Sequence, residues 1–425
     1  MGLRILVIGG GGREHALAWK LAGSPLVDAV YCAPGNPGTA EIATNLPIAV
    51  SDIIAIVDAA KSLAVDFVMV GPEKPLALGL GDALRSAGIP VCGHSADAAM
   101  LETSKAFAKA VMAEAGIETA RSVTVSDIQT GVVALENFSI PVVIKADGLA
   151  DGKGVVIAES REEAEATLRA FIFDAALGAA GQSVVIEEFL DGLEVSVIAL
   201  VDGETVIPMV PSCDHKPVFD GNKGPNTGGM GVYAPPPQIS PELSARIVET
   251  VHRPVARHMS GRGTPLQGVL YAGMILTDAG PRVLEFNARF GDPETQVIMA
   301  LMESDLAPVL HALALGKLSE CHPPGFRADS AVCVVLTSSG YPGAYPTGLP
   351  IEGIESVPDD LLVFHAGTKR DVDGRLVTSG GRVLNVVGLG RDLTEARERA
   401  YSGVDAISFE GKHARSDIGA FGINQ

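Results

Sequence analysis

The sequence is poor in cysteine, in aromatic residues and in long apolar runs. Its 425 residues include five cysteines, which are scattered and never spaced as C-x-x-C, and a single tryptophan. This cysteine pattern is typical of a reducing cytoplasm and excludes a disulfide framework. No segment approaches the roughly 18 consecutive apolar residues that span a bilayer, and the N-terminal apolar run is too short for a signal peptide. We therefore expect a cytoplasmic protein with no membrane partner.

Positive charge is also scarce. Lys and Arg number 32 against 51 Asp and Glu, which gives a formal charge of -19. Nucleic-acid binding depends on clustered Lys and Arg, so this balance argues against a nucleic-acid partner. An anionic small substrate would have to be held by local cationic side chains and backbone N–H groups. The 49 glycines, which lie in short loops between apolar runs, suit such sites.

The first hundred residues alternate short apolar runs with amphipathic stretches. The runs are Leu3 to Ile8, Ala29 to Cys32, Phe67 to Val70 and Pro90 to Cys92. This alternation predicts an α/β unit with a doubly wound parallel sheet. Ligands bind at the carboxyl ends of such strands, where the glycine-containing loops 9–12, 34–36 and 71–73 are expected to converge.

The remainder of the chain has longer β-runs with few helices between them. After a predicted helix over 104–115, the runs 142–146, 155–158, 184–187, 195–201, 269–277 and 281–287 favour antiparallel or mixed sheets. Pro323-Pro324-Gly325 is a plausible boundary, and the runs that follow it predict a small C-terminal α+β domain. We expect domains at 1–103, 104–325 with a small inserted lobe at about 121–190, and 326–425.

Two glycine-rich loops are candidate phosphate sites. Gly9 to Gly12 lacks the last glycine of G-x-G-x-x-G and the acid that would hold an adenosine ribose. It is better interpreted as an oxyanion nest at a helix start, with a ligand-free tight turn as the alternative. The loop from Asp147 to Gly154 is not a Walker A motif. It can fold over nucleotide phosphates, or it can be an ordinary mobile hairpin.

The segment from Leu284 to Pro293 carries candidate metal ligands. If its strand continues far enough, Glu285, Asn287 and Arg289 share one face. Carboxylate and amide oxygens suit Mg2+, and an arginine can bind a carboxylate or a phosphate with two hydrogen bonds. The alternative is a solvated polar face with an ion pair two residues apart.

Two further segments give weaker signals. The strand from Val184 to Leu190 runs into a connector whose main chain could match an adenine edge, with Glu194 able to accept ribose hydroxyls; acids in such turns are more often solvent-facing. The long irregular stretch that contains Asp214-His215-Lys216 and residues 224–231 is more often functional than idle. His215 lacks a second ligand at metal spacing, so a structural or substrate-contact role is favoured.

Taken together and in this order, these segments resemble the phosphoribosylamine–glycine ligase family over essentially the whole chain. The residues that carry the resemblance are GGGGREHAL at 9–17, APGNPG at 33–38, GPEKPLALGL at 71–80, Ser104-Lys105, KADGLADGKGV at 145–155, Asp214-His215-Lys216, GPNTGGMGVY at 224–233 and EFNARFGDPETQ at 285–296. The resemblance implies an ATP-grasp fold: an N-terminal substrate domain, two α+β lobes that enclose ATP, and a small C-terminal domain. It further implies the use of ATP and Mg2+ (or Mn2+), and we expect a monomer.

The resemblance also implies a reaction and a site. ATP phosphorylates the carboxylate of glycine, and the amine of 5-phosphoribosylamine attacks the glycyl phosphate to give glycinamide ribonucleotide, ADP and phosphate. ATP would contact Lys105, Lys145, Gly148, Gly152, Lys153, Gly154, Glu187, Glu188, Phe189, Leu190 and Glu194. The metal would be bound by Glu285 and Asn287. Catalytic contacts would come from Lys145, Asp214 and Arg289, with glycine near the last two. Phosphoribosylamine would contact Gly10, Gly11, Asn36 and Glu73.

The chain departs from the family pattern at two positions. Cys213 stands where Gln is often found, and Asp151 stands where Ala is common. Asp151 adds negative charge beside the triphosphate, so its side chain is expected to point outward.

Three other functions compete with this interpretation. Another ATP-grasp carboxylate–amine ligase, using formate or carboxyphosphate, would differ in its indifference to glycine. A nicotinamide-dependent oxidoreductase is suggested only by the glycine-rich start and lacks the rest of its fingerprint. A non-catalytic nucleotide sensor would not need the candidate metal ligands and lysines.

Overall fold

The computed structural model describes residues 2–149, 154–174 and 176–423. Asp151, Gly152 and Lys153, which include two predicted ATP contacts, lie outside the described residues. Among the residues that are described, no helix is both long enough and apolar enough to cross a bilayer.

The N-terminal part is the predicted parallel sheet, with strands in the order β3-β2-β1-β4-β5. Alternate residues of β1 and β4 enter two different cores, Ile5 and Val7 on one face and Leu6 and Ile8 on the other, which explains why the runs are continuously apolar. The strands are β1 (Leu3–Gly9), β2 (Val27–Pro34), β3 (Thr44–Asn45), β4 (Phe67–Val70) and β5 (Val91–Cys92), and the helices are α1 (Gly12–Ala22), α2 (Thr39–Ile42), α3 (Ile53–Ser62), α4 (Glu73–Ala77) and α5 (Leu80–Ser86).

The three loops at the carboxyl ends of these strands do converge. The N–H of Gly35 donates to the carbonyl of Gly9 at 3.0 Å, and that of Gly71 donates to Ile8 at 3.0 Å. A Cβ on Gly10 would lie 2.5 Å from the carbonyl oxygen of Gly35. Glycine is therefore required at position 10 by the close approach of two backbones.

A small antiparallel sheet follows, in the order β6-β9-β7-β8. The predicted helix at 104–115 is observed as Lys105–Glu114 and follows a separate helix, Ala96–Thr103. Ser104 caps the start of the second helix by accepting the N–H of Phe107. The elements are α6 (Ala96–Thr103), α7 (Lys105–Glu114), β6 (Ser122–Val125), α8 (Ile128–Leu135), β7 (Val142–Ala146), β8 (Val155–Ala158), α9 (Arg161–Leu168), a π turn (Arg169–Phe173), a 3-10 turn (Gly178–Gly181) and β9 (Val184–Glu188).

A second antiparallel sheet, in the order β11-β10-β16-β17, faces the cleft described below. Its elements and those around it are β10 (Leu193–Asp202), β11 (Thr205–Pro208), β12 (Cys213–Asp214), β13 (Pro217–Phe219), β14 (Lys223–Asn226), β15 (Gly231–Ala234), α10 (Pro241–Ile247), a π turn (Val248–His252), α11 (Arg253–Gly261), β16 (Gln267–Thr277), β17 (Gly280–Asn287), α12 (Glu294–Leu301), α13 (Leu306–Ala314) and a 3-10 turn (Leu318–Glu320).

Strand β17 does not continue to Arg289, so the condition for placing Glu285, Asn287 and Arg289 on one strand face is not met. The strand ends at Asn287. Its register against β16 also shifts, because Gly273 pairs with Glu285 whereas Met274 pairs with Val283. Leu284 is thus an extra residue, and such a bulge reorients the side chains that follow it.

The C-terminal sheet combines strands from two distant parts of the chain. Its order is β12-β15-β18-β22-β19, so β12 and β15 from the middle of the sequence extend a sheet built by the last hundred residues. The predicted boundary at residue 325 stays a prediction. The C-terminal elements are β18 (Ser330–Thr337), a 3-10 turn (Ile354–Ser356), β19 (Leu362–His365), β20 (Thr368–Arg370), β21 (Leu376–Thr378), β22 (Arg382–Gly390), α14 (Leu393–Ala406) and α15 (Ala420–Ile423).

Candidate active site

A cleft of about 440 Å³ lies where the N-terminal sheet, the two antiparallel sheets and the C-terminal sheet meet. Residues from all four regions line it, and most of them are charged or polar. The lining includes the backbone of Gly148 and Gly154 and the side chains of Arg13, Glu73, Glu102, Lys105, Asp214, Lys216, Tyr271, Glu285, Asn287, Arg289, Asp292, Glu294, Tyr341 and Arg382. Eight of these residues are predicted site residues that are far apart in the sequence.

Glu285 is surrounded by lysines. Its carboxylate lies 3.5 Å from Nζ of Lys105 and 4.0 Å from Nζ of Lys216. Burial alone would raise the pKa of Glu285, but Lys105, Lys216 and then Lys145 outweigh burial and lower it to about 2. Glu285 is therefore an ionised carboxylate, which is the form that binds a metal. We call Lys105, Lys216 and Glu285 the lysine–glutamate cluster.

The glycine-rich hairpin is attached to the start of α7. Oδ1 of Asp147 accepts the hydroxyl of Ser104 at 2.9 Å and the N–H of Ala106 at 3.0 Å. A carboxylate at a helix N-terminus is stabilised by the unpaired N–H groups there. This contact holds Gly148 beside the helix that carries Lys105.

Lys145 belongs to a buried cluster behind the cleft rather than to its lining. Glu187 is almost fully buried, and its Oε2 lies 3.0 Å from Nζ of Lys145 and 3.2 Å from Nζ of Lys109. The other oxygen, Oε1, has no hydrogen-bond partner among the described residues. A buried acceptor of this kind is costly unless a ligand donates to it.

The other predicted adenine and ribose contacts lie outside the main cleft. The carboxylate of Glu188 accepts the N–H of Arg121 at 2.8 Å, so it supports the sheet edge. Phe189 is exposed and Leu190 is half-buried. Glu194 pairs with Lys216 at 3.1 Å and lines a small adjoining cavity with Asp214 and Tyr271.

Asp214 and Glu294, which we call the carboxylate pair, face the same cleft. Oδ1 of Asp214 is buried and lacks a hydrogen-bond partner among the described residues. Burial, and then the charge of Glu294, hold the pKa of Asp214 well above its usual range. Glu294 accepts the hydroxyl of Ser196 at 3.1 Å, and that hydroxyl lies 2.8 Å from the Tyr271 hydroxyl. Lys216 and Arg382 offset part of this negative charge, and the two neighbouring carboxylates are a candidate site for a further cation.

Arg289 lines the cleft although it lies beyond the strand. Its guanidinium lies 2.9 Å from Glu102 and 3.4 Å from Glu73, and it also donates to Asn287 Oδ1 at 3.4 Å. Burial would lower the pKa of Arg289, but Glu102 and Glu73 raise it above its ordinary value. The group is a permanent cation held by two carboxylates.

Of the residues predicted to contact phosphoribosylamine, Glu73 lines the cleft, whereas Gly10, Gly11 and Asn36 do not. The nest interpretation has to be corrected at Gly11, whose N–H already donates to Glu14 Oε2 at 2.7 Å. Asn36 is also committed: its amide donates to the carbonyls of Gly10 and His365, and its oxygen accepts two loop N–H groups. These residues build the loops beside the cleft.

Several cleft residues were missed from the sequence. Lys216 and Glu294 lie inside segments that carried the family resemblance, and their charge was a usable signal. Tyr341 and Arg382 come from the C-terminal sheet and belong to no motif. Only the fold brings them to the cleft.

Comparisons with known proteins agree on one family. Family models of phosphoribosylglycinamide synthetase match the chain in three parts: the N domain at residues 3–102, the ATP-grasp (A) domain at 103–295 and the C domain at 331–421. A phosphoribosylamine–glycine ligase from Caulobacter vibrioides is 47% identical over 424 residues, which cover 100% of this chain and 99% of the relative.

Two solved structures extend this result. A phosphoribosylamine–glycine ligase from Thermotoga maritima superposes with a TM-score of 0.86 at 35% identity, covering 98% of this chain and all of that one. Biotin carboxylase from Campylobacter jejuni shares the fold, with a TM-score of 0.74 at 14% identity over 99% of this chain and 94% of its own.

Proposed function

The chain belongs to the phosphoribosylglycinamide synthetase family, and from this premise we propose how its cleft joins glycine to 5-phosphoribosylamine. The protein is an ATP-dependent ligase of purine biosynthesis that uses a divalent metal. The supporting observation is that one cleft combines a lysine–glutamate cluster, a carboxylate pair and a half-buried arginine. Those are the groups that a triphosphate, an ammonium and a carboxylate require.

We propose that glycine binds with its ammonium at the carboxylate pair and its carboxylate toward Arg289. Asp214 offers a buried oxygen without a partner, and Glu294 supplies a second negative charge. The carboxylate of glycine attacks the γ-phosphorus of ATP to form glycyl phosphate and ADP. The amine of phosphoribosylamine then attacks the acyl carbon and releases phosphate. Positioning and charge neutralisation dominate such a reaction.

Glu285 and Asn287 are proposed to hold Mg2+, with Mn2+ as an alternative. Their oxygens are hard donors of the kind Mg2+ prefers, and the low pKa of Glu285 keeps its carboxylate ionised. In the described part of the chain, no group of three His, Cys, Asp or Glu side chains could hold a metal by itself. The metal would therefore bind together with the triphosphate, whose negative charge it neutralises.

The amino group of the adenine of ATP is proposed to donate a hydrogen bond to Glu187 Oε1, since that oxygen is buried and lacks a partner among the described residues. Lys105 and the hairpin at Gly148 and Gly154 would contact the phosphates, and Glu194 the ribose. We propose that Glu73 contacts phosphoribosylamine, because it lies in the cleft at the carboxyl ends of the N-terminal strands.

Further aspects of the function stay proposals. We propose a monomer, and the proposed absence of a nucleic-acid partner agrees with the charge of -19. Cytoplasmic location agrees with the five cysteines, which are all free.

The reaction is tested with purified protein, ATP, Mg2+, glycine and phosphoribosylamine generated from ribose 5-phosphate and ammonia. We expect phosphate release to require both glycine and phosphoribosylamine. Glycine and hydroxylamine without phosphoribosylamine should give glycine hydroxamate, because hydroxylamine traps an acyl phosphate. Phosphate release that ignores glycine would refute the proposal in favour of another carboxylate–amine ligase.

A further inference from the structure

One arginine of the C-terminal sheet reaches the cleft and binds several backbone carbonyls at once. Arg382 begins β22, and its Nη1 donates to the carbonyl of Gly228 at 2.6 Å, to that of Asp292 at 2.6 Å and to that of Gly229 at 3.5 Å. Its Nη2 lies 3.4 Å from the Asp292 carboxylate. One guanidinium therefore joins two segments that are more than sixty residues apart in the sequence.

Both of these segments set the position of the carboxylate pair. A Cβ on Gly229 would lie 2.9 Å from Asp214 Oδ1 and 2.5 Å from Pro293 Cδ, so this backbone packs directly against both. Asp292 lies two residues before Glu294 and accepts the amide of Gln296 on α12 at 2.9 Å. Movement of either segment would change the distance between Asp214 and Glu294.

Other C-terminal residues anchor the same loop. The hydroxyl of Tyr341 accepts the N–H of Gly228 at 3.1 Å. Farther along, Arg415 donates to the carbonyl of Pro217 at 3.0 Å, and Asp417 accepts the N–H of Gly221 at 2.8 Å. The loop between β12 and β15 is thus held from its far side by the C-terminal part of the chain.

The charge of Arg382 also bears on the pair. Burial would raise the pKa of Asp292, but Arg382 and then Arg13 lower it. Asp292 is consequently a carboxylate balanced by arginine close to two other carboxylates. Without Arg382, Asp292 would add negative charge to a region that already disfavours ionised Asp214.

We propose that Arg382 is a positioning residue for glycine: it fixes the two backbone segments that hold Asp214 and Glu294 at the spacing that accepts an ammonium group. This inference rests on the proposed function, because it takes glycine as the occupant of the carboxylate pair. It makes the last hundred residues of the chain, through Arg382, a part of amino-acid recognition, although neither Asp214 nor Glu294 belongs to them.

The test compares Arg382→Met and Arg382→Lys with the wild-type enzyme. Lysine keeps the charge opposite Asp292 but cannot bridge two segments as a planar guanidinium does. Loss of several hydrogen bonds to one group leads us to expect a glycine KM raised about tenfold or more in Arg382→Met, and by less in Arg382→Lys. The KM for ATP should change by less than about twofold, because the lysine–glutamate cluster does not contact Arg382.

A glycine KM that stays at the wild-type value, or an equal rise in the KM values for glycine and ATP, would overturn the proposal. A rise in the KM for phosphoribosylamine alone would also overturn it, since Arg382 would then serve the other substrate. Direct glycine binding, measured by calorimetry with a non-hydrolysable ATP analogue and Mg2+, should weaken in parallel with KM.

Two further variants keep the test decisive. Tyr341→Phe removes one anchor of the same loop and should raise the glycine KM by about twofold to fivefold, the effect of one hydrogen bond; no change would count against the proposal if the arginine variants fail to fold. The matched control is Arg370→Met, since Arg370 also donates to a backbone carbonyl in the C-terminal part, that of Gly374 at 3.1 Å, but does not line the cleft or contact the loop between β12 and β15. Wild-type turnover that needs glycine separates failure of this inference from failure of the proposed function.

Discussion

Glu285→Gln is expected to abolish turnover and also to destabilise the ligand-free protein. The pKa of this carboxyl falls from an ordinary 4.5 to about 2. At 1.36 kcal/mol for each pKa unit, the difference of about 2.5 units corresponds to at most about 3 kcal/mol of unfolding free energy at neutral pH. Glutamine has the same shape but no charge, so Lys105 and Lys216 lose their shared counter-charge.

The direction of this pKa shift also predicts how the stabilisation by Glu285 depends on pH. The folded pKa lies below the unfolded value, so the contribution is complete above pH 4.5 and is lost as pH falls toward 2. Urea unfolding of both proteins without metal or nucleotide should therefore differ most at pH 7, and the difference should shrink below pH 4.5. Turnover is measured in parallel at limiting and saturating Mg2+.

Glu118→Gln is the matched control. Glu118 is exposed, and its carboxylate lies 2.7 Å from Arg282, a residue of the strand that also contains Glu285. An exposed pair contributes at most about 1 kcal/mol, so this variant should unfold and turn over nearly as the wild type does. The reasoning about Glu285 would be refuted if Glu285→Gln matched the wild type in stability at pH 7, or if it stayed active at limiting Mg2+.

Three other variants probe the remaining groups. Asp214→Asn should raise the glycine KM yet stabilise the ligand-free fold at neutral pH in urea unfolding, because the raised pKa shows that ionised Asp214 is disfavoured there. Lys109→Met should raise the ATP KM about tenfold and reduce discrimination against ITP in steady-state assays, because Glu187 Oε2 loses one of its two lysines. Asn36→Ala should lower the unfolding free energy by about 1–3 kcal/mol with little change in ATP KM, because buried loop groups lose their partners.

The fold could be predicted from the sequence wherever hydrophobic pattern and turn residues agree. The N-terminal runs are buried on both faces of a parallel sheet, so their continuous apolarity and the glycines after them predicted both strands and loops. The antiparallel sheets followed from the scarcity of helices between the later runs. These are local signals, and a single sequence carries them directly.

The pairing of distant strands could not be predicted in the same way. β12 contains two residues and β15 four, and no hydrophobic period indicates that they extend the C-terminal sheet. Leu284 is likewise an extra residue in β17 only because of how that strand aligns with β16. Register between strands far apart in sequence depends on the whole fold.

The candidate site was predictable where residues of suitable chemistry occur in a dense segment. Glu285, Asn287 and Arg289 are close in sequence, and all three line the cleft, although a shared strand face was the wrong reason for expecting Arg289 there. Arg382 is one of many arginines with no distinguishing neighbours in the sequence. Asn36 is the opposite case: its position in a conspicuous loop suggested a ligand contact, which stays a prediction, whereas the observed role of its amide is to build that loop.

The ion pairs within the cleft also indicate how an acidic protein accepts anionic substrates. Lys105 and Glu285 neutralise each other at 3.5 Å. With the triphosphate at Lys105 and the metal at Glu285, as proposed above, each side chain would exchange one partner for another, so arrival of both ligands would leave neither group unpaired. Arrival of only one would leave a partly buried charge without its partner. Metal and nucleotide should therefore bind with positive coupling, which arises from the existing ion pair rather than from a preformed metal cage.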